Sequence, residues 1–183
     1  SRVSLATGNL YLERKDFSLE TPIGPMDIGA FYNSSTNQWM WNFEMTIEGH
    51  HFTDSSGAWH DISHVGIGEE IPGTHWIVAG PKIMRTRAGR TYAFKDGHLD
   101  AIHWANQPHP RLQMIRETVD GQSRLIGIGT CYEDGCVEPI LEFEHDESGH
   151  IIEIKDLVGD QSALFAYGAD DQLVNASSPF DIS

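Results

Sequence analysis

The sequence predicts an all-β protein: an antiparallel β-hairpin meander forming one strip of a larger sheet. Three observations predict it. Apolar and polar residues alternate over most of the chain, tight-turn dipeptides recur between the alternating runs, and helical periodicity is almost absent.

Taken in order, Leu10-Tyr11-Leu12-Glu13 and Met26 to Phe31 read as short strands joined by a bend at Pro22, Gly24 and Pro25. Phe43 to Ile47 alternates cleanly, and Asp54-Ser55-Ser56-Gly57 is a hairpin turn placed before Trp59. Arg90 to Lys95 meets Asp96-Gly97 and resumes as His98 to Ile102, while Arg111 to Val119 meets Asp120-Gly121 and resumes as Ser123 to Ile128. Asp-Gly suits a two-residue turn because both central positions need positive φ. Cys131 and Cys136 bracket a shorter turn at Asp134-Gly135. Ile140 to Glu144 turns at Ser148-Gly149 and returns as Ile151 to Ile154. Leu164 to Tyr167 turns near Asp170-Asp171 and returns through Leu173-Val174. Pro108-His109-Pro110 is the one plausible internal boundary, or else only a bend between hairpins.

Phe143-Glu144-His145-Asp146 aligns with Phe165-Ala166-Tyr167-Gly168 at an offset of 22 residues, which also places Ile151 on Leu173. A hairpin of this size cannot bury its apolar face alone, so such units stack side by side. Leu99, Leu141, Phe143, Ile151 and Leu173 are expected to cover one face. No polar capping unit follows Phe180, so an open strand edge is expected at that end.

The 183 residues suit a single β domain spanning 1–183, with 27 acidic and 12 basic residues giving a net charge of −15. This excess opposes phosphate backbones and anionic membrane surfaces, so no nucleic-acid partner is expected. Membrane insertion is not expected either: the longest apolar candidate, Ile67 to Ala79, is broken by Glu69, Glu70 and Pro72.

No catalytic, cofactor or metal site is expected. His60 and His64 in a strand would stand about 13 Å apart, too far for one ion. The carboxylate pairs Glu69-Glu70, Glu142/Glu144 and Asp170-Asp171 are spaced as chance allows among so many acids, and neither a nucleophile elbow nor a phosphate-cradling loop is present. Trp39, Trp41 and Phe43 at alternate positions share one strand face, which serves core packing or sugar stacking. Cys131 and Cys136 sit across a hairpin end, where they can form a disulfide in exported material or remain thiols in the cytosol.

Two regions together resemble the YD-repeat, or Rhs, family. The first is Thr7-Gly8-Asn9 followed by Tyr32-Asn33-Ser34 and the Trp39/Trp41 strand, similar to the segment that introduces the repeats. The second is Phe143, His145, Asp146, Gly149 and Ile151, with Tyr167 in the next copy, similar to the Tyr-x-Tyr-Asp-x-x-Gly-x-Leu repeat. The signature Tyr-Asp is here His145-Asp146 and then Tyr167-Gly168, and the Asp-Pro-x-Gly mark of a self-cleaving core is absent. The resemblance implies a repeat-introducing segment over 1 to about 90 and hairpin repeats from about 90 to 183. It further implies a non-enzymatic part of a β-shell, extracellular or on the cell surface. The partners would be the remainder of a longer YD-repeat chain and its C-terminal cargo domain. The alternative is a β module of an adhesin or phage fibre that binds a cell-surface glycan or receptor.

Overall fold

A computed structural model describes residues 2–3, 10–34 and 38–177. It is all-β, every strand pairing is antiparallel, and the sheets do not close into a barrel. A four-stranded sheet holds β1 (Arg2–Val3), β2 (Leu10–Leu19), β3 (Met26–Asn33) and β4 (Gln38–Trp41) in chain order. A short branch follows, made of β5 (Thr46–Glu48), β6 (His51–Thr53) and β7 (Trp59–Asp61).

The main sheet then runs in unbroken sequence order through β8 (Trp76–Gly80), β9 (Ile83–Thr86), β10 (Arg90–Lys95), β11 (His98–Trp104) and β12 (Gln107–Val119). It continues through β13 (Gln122–Tyr132), β14 (Gly135–His145), β15 (Ile151–Asp156), β16 (Gln161–Tyr167) and β17 (Leu173–Ser177). The branch joins the main sheet where Thr46 pairs with His98. Within each of the runs β1 to β4, β5 to β7 and β8 to β17, a strand thus pairs with the next one made, as a chain of short turns dictates.

The turns carry the chemistry expected of them. Asp96 and Gly97 have φ of 51° and 86°, and Asp120 and Gly121 have 52° and 79°, the left-handed pair that a two-residue hairpin needs. A second turn type spans four residues and recurs in three places. In each, the first residue's N–H donates to the carbonyl four positions on, and the fourth residue's N–H donates back to the first carbonyl. Asp54 and Gly57 do this at 3.0 and 3.0 Å, Asp146 and Gly149 at 3.0 and 3.0 Å, and Gly168 and Asp171 at 2.8 and 3.1 Å. The fourth residue must adopt positive φ: Gly57 is at 75°, Gly149 at 91° and Asp171 at 60°.

The repeat extends to strand register. Phe143, Glu144 and His145 pair with Ile154, Glu153 and Ile151, and 22 residues on Phe165, Ala166 and Tyr167 pair with Ala176, Asn175 and Leu173. A β-bulge falls at the same step in both hairpins. The first bulge leaves Ile152 unpaired, so Ile151 and Ile154 both point inward although they are three residues apart. The same device at Ile126 keeps both Leu125 and Ile128 in the core. The core is a continuous run of buried side chains from Trp76 and Met84 through Leu99, Leu112, Ile128 and Leu141 to Ile154 and Phe165.

Three expectations are corrected. Pro108-His109-Pro110 is no boundary, because it lies inside β12, before the register with β13 begins at Arg111. The cysteine hairpin turns on Glu133-Asp134, since Gly135 already pairs with Tyr132. Trp39, Trp41 and Phe43 do not line a single strand: β4 ends at Trp41, and the turn that follows carries Phe43 round to stack on the Trp41 ring at 5.8 Å with 8° between the planes.

Gly29 is fixed by a close backbone approach. Asp16 bulges from β2 opposite it, and a Cβ at Gly29 would lie 2.1 Å from the Arg14 carbonyl oxygen. Gly29→Ala is therefore expected to lower stability by about 1–3 kcal/mol, read from urea unfolding; an unchanged midpoint would contradict this packing.

Asp54 is buried beneath its turn, where it accepts from Ser56 N–H at 2.8 Å and Ala58 N–H at 3.1 Å and meets His60 Nε2 at 2.8 Å. Burial pushes its pKa up, but the hydrogen bonds from His60 and Ser56 outweigh it and hold the carboxyl below its ordinary value. A folded pKa below the unfolded one gives stability that is present above about pH 4 and lost as pH falls through the folded value. Asp54→Ala should cost about 1.5–3 kcal/mol at pH 7, and the deficit should shrink by pH 3. Equal deficits at both pH values would contradict the assignment.

Candidate functional site

The two regions singled out in the sequence meet where the first sheet packs on the last hairpins. Trp41 ends β4 and stands edge-on to Phe165 of β16, with ring centroids 4.6 Å apart. Phe43, in the next turn, packs on Phe143 of β14 at 4.8 Å. The Arg14 guanidinium from β2 lies over the same Phe165 ring at 4.8 Å. Trp41 is 5 % exposed, so its ring belongs to the core. Half-buried Trp39 sits beside Tyr32 across the β3–β4 pair at 5.5 Å.

Beyond this seam opens a cavity of about 480 Å³, lined by Trp39, Trp41, Glu44, His150, Tyr167 and Asp171 among others. The Tyr167 ring stacks on the His150 ring at 4.5 Å, and its hydroxyl donates to the Ile151 carbonyl at 3.0 Å. Burial, with the charges of Glu44 and Asp146 adding to it, pushes the Tyr167 hydroxyl up to about 12. Asp146 accepts from His150 N–H at 2.9 Å and lies 3.1 Å from His150 Nδ1. Desolvation pushes the Asp146 carboxyl up, but the His150 N–H and ring together hold it below its usual value.

This His-Asp pair closes a turn. Its other ring nitrogen, Nε2, faces Asp171 Oδ1 at 3.7 Å, not a hydroxyl or thiol that it could activate.

The remaining candidates lie apart. Tyr32 and Asn33 are in β3 and Ser34 in the turn after it, while Thr7, Gly8 and Asn9 fall outside the described residues. Phe143 and His145 are in β14, Gly149 holds the left-handed turn position, and Ile151 opens β15. Cys131 and Cys136 are in register across the β13–β14 pair and are joined as a disulfide, with Cys131 buried.

Three of the paired carboxylates are held locally. Glu69 accepts from Gly66 N–H at 2.9 Å, Glu70 pairs with Arg87, and Glu144 pairs with Lys155. Among the described residues no three His, Cys, Asp or Glu side chains converge to hold an ion. Glu44 and His150 were not marked by the sequence; the 22-residue offset, which sets His150 against Gln172, is the one signal that points to the second of them.

A family model described as a domain of unknown function (DUF6531) matches residues 1–62. The matched stretch ends as β7 ends, so it contains the first sheet and the three-stranded branch. The chain matches no curated protein.

Trp41→Ala should destabilise the fold by about 3–5 kcal/mol, because the ring is buried against Phe43 and Phe165. Thermal melting measures it; an unshifted melting temperature would mean that the ring does not hold the two sheets together.

Proposed function

We propose that this chain is a non-enzymatic structural segment of a YD-repeat-like surface protein, in which hairpins stack into a β-shell that encloses or displays a further domain. One observation carries the reading: the last two hairpins repeat every 22 residues in register, bulge position and turn hydrogen bonds. Units of that kind contact only their neighbours and extend by addition. Two further features support it. Among the described residues β17 pairs with β16 alone, and the apolar side chains of Leu164 and Val174 on that hairpin are exposed. An open edge beside exposed apolar side chains suits a following strand. In this reading the chain works outside the cell or at its surface, with the rest of a longer chain and its cargo as partners.

The second reading, a glycan- or receptor-binding module, is favoured by Trp59. It is 61 % exposed, and its ring stacks with His51 at 4.4 Å, presenting an aromatic platform to solvent.

Two measurements separate the readings. Inserting a second copy of residues 157–178 after residue 178 should give a protein that still unfolds cooperatively, with added strand signal by circular dichroism. Loss of cooperative unfolding would contradict the repeat reading. An array of neutral glycans should show no hit; a hit abolished by Trp59→Ala would favour the binding module.

A further inference from the structure

The chain carries 27 acidic residues against 12 Lys and Arg, so each arginine should find a carboxylate easily. Arg14 pairs with Asp16, and Arg87 pairs with Glu70. Arg116 and Arg124 differ. Among the described residues neither has a carboxylate within ion-pair distance, and the Nε of each, like that of Arg111 elsewhere in β12, is buried without a hydrogen-bond partner. A buried donor left unmet is costly, and such a group in a native fold calls for a missing partner.

Both arginines line one crevice of about 300 Å³, together with His98 and His145. The four come from β11, β12, β13 and β14, which are consecutive neighbours in the main sheet. Gln122 and Ser123 add polar donors beside them. Glu44 is the one carboxylate on the wall, and its Oε2 is already held by Trp41 N–H at 2.9 Å.

We propose that this crevice binds an oxyanion, a carboxylate or sulfate-type group, held by Arg116 and Arg124. A planar guanidinium matches such a group with paired hydrogen bonds, and the bound charge would supply the acceptors that the buried Nε atoms lack. The site does not depend on the scaffold reading, since it uses only the strands described.

Protonation should be coupled to binding. Desolvation and the Arg116 charge push His98 down, against the pull of Glu48 and Asp96, and desolvation and the Arg124 charge push His145 down, against Glu117 and Asp146. Arg116 in turn faces Glu44 and Asp100. Although Glu44 is exposed as a residue, its carboxyl faces the crevice, where loss of water raises its pKa. A bound anion offsets the arginine charge and lets the histidines protonate. Binding therefore takes up protons, and it strengthens as pH falls below the ordinary histidine value of about 6.5.

The test is a titration of the whole chain with sodium sulfate, and separately with sodium acetate, at constant ionic strength kept with sodium chloride. The His98 and His145 ring resonances are followed by NMR. Saturable one-site shifts are expected with at least one of the two anions, with affinity rising about tenfold for each unit of pKa coupling as pH drops from 7.5 to 5.5. The anion that saturates names the group preferred. Arg124→Gln should abolish saturation, while Glu44→Gln should tighten binding by removing the competing charge. Thermal melting identifies variants that have unfolded, and the unmodified chain decides the matter without them. Shifts no greater than those in sodium chloride alone would overturn the proposal, as would shifts unchanged in a folded Arg124→Gln variant.

Discussion

Three hairpins, including the repeated pair, depend on one backbone constraint: a four-residue turn closes only if its last residue lies in the left-handed region. Gly57 and Gly149 reach it freely, whereas Asp171 reaches it with a side chain attached. When that condition is met, the paired N–H and carbonyl bonds around Asp54, Asp146 and Gly168 fix where the returning strand begins. Register follows from the turn, and side-chain parity follows from register.

Parity alone would not build the core. Strands of ten or more residues twist, and strict alternation would carry some apolar side chains out of phase with their neighbours. The bulges at Ile126 and Ile152 reset that phase and let Ile128 and Ile154 point inward. The first sheet then covers the far hairpins through Trp41 on Phe165 and Phe43 on Phe143. The first sheet and the last hairpins are thereby linked by aromatic packing between residues a hundred or more positions apart.

What was legible in the sequence was local. Asp96-Gly97 and Asp120-Gly121 announce their turns because few residue pairs tolerate two positive φ values in succession. The offset that sets Phe143 on Phe165 is visible in the strands, where Ile151 also falls on Leu173, although the turn residues differ, Gly149 against Asp171. What was not legible was long-range. Nothing in Trp39-Met40-Trp41-Asn42-Phe43 says that the strand stops at Trp41, or that Phe43 will meet Phe143. Pro108-His109-Pro110 looks like a break but lies in a strand, because its residues precede the β13 register and owe that neighbour no hydrogen bonds. The crevice was hidden for the same reason: Arg116 and Arg124 lie on strands whose approach to His98 and His145 depends on sheet order.

The repeat in register is the central claim, and cross-strand nuclear Overhauser effects between backbone protons test it most directly. The account predicts contacts for the pairs Glu144 with Glu153 and Phe143 with Ile154, and for their counterparts 22 residues on, Ala166 with Asn175 and Phe165 with Ala176. A last hairpin in which Ala166 instead faces Val174 would be slipped by one residue, setting Phe165 opposite Asn175 in place of Ala176 and contradicting the repeat.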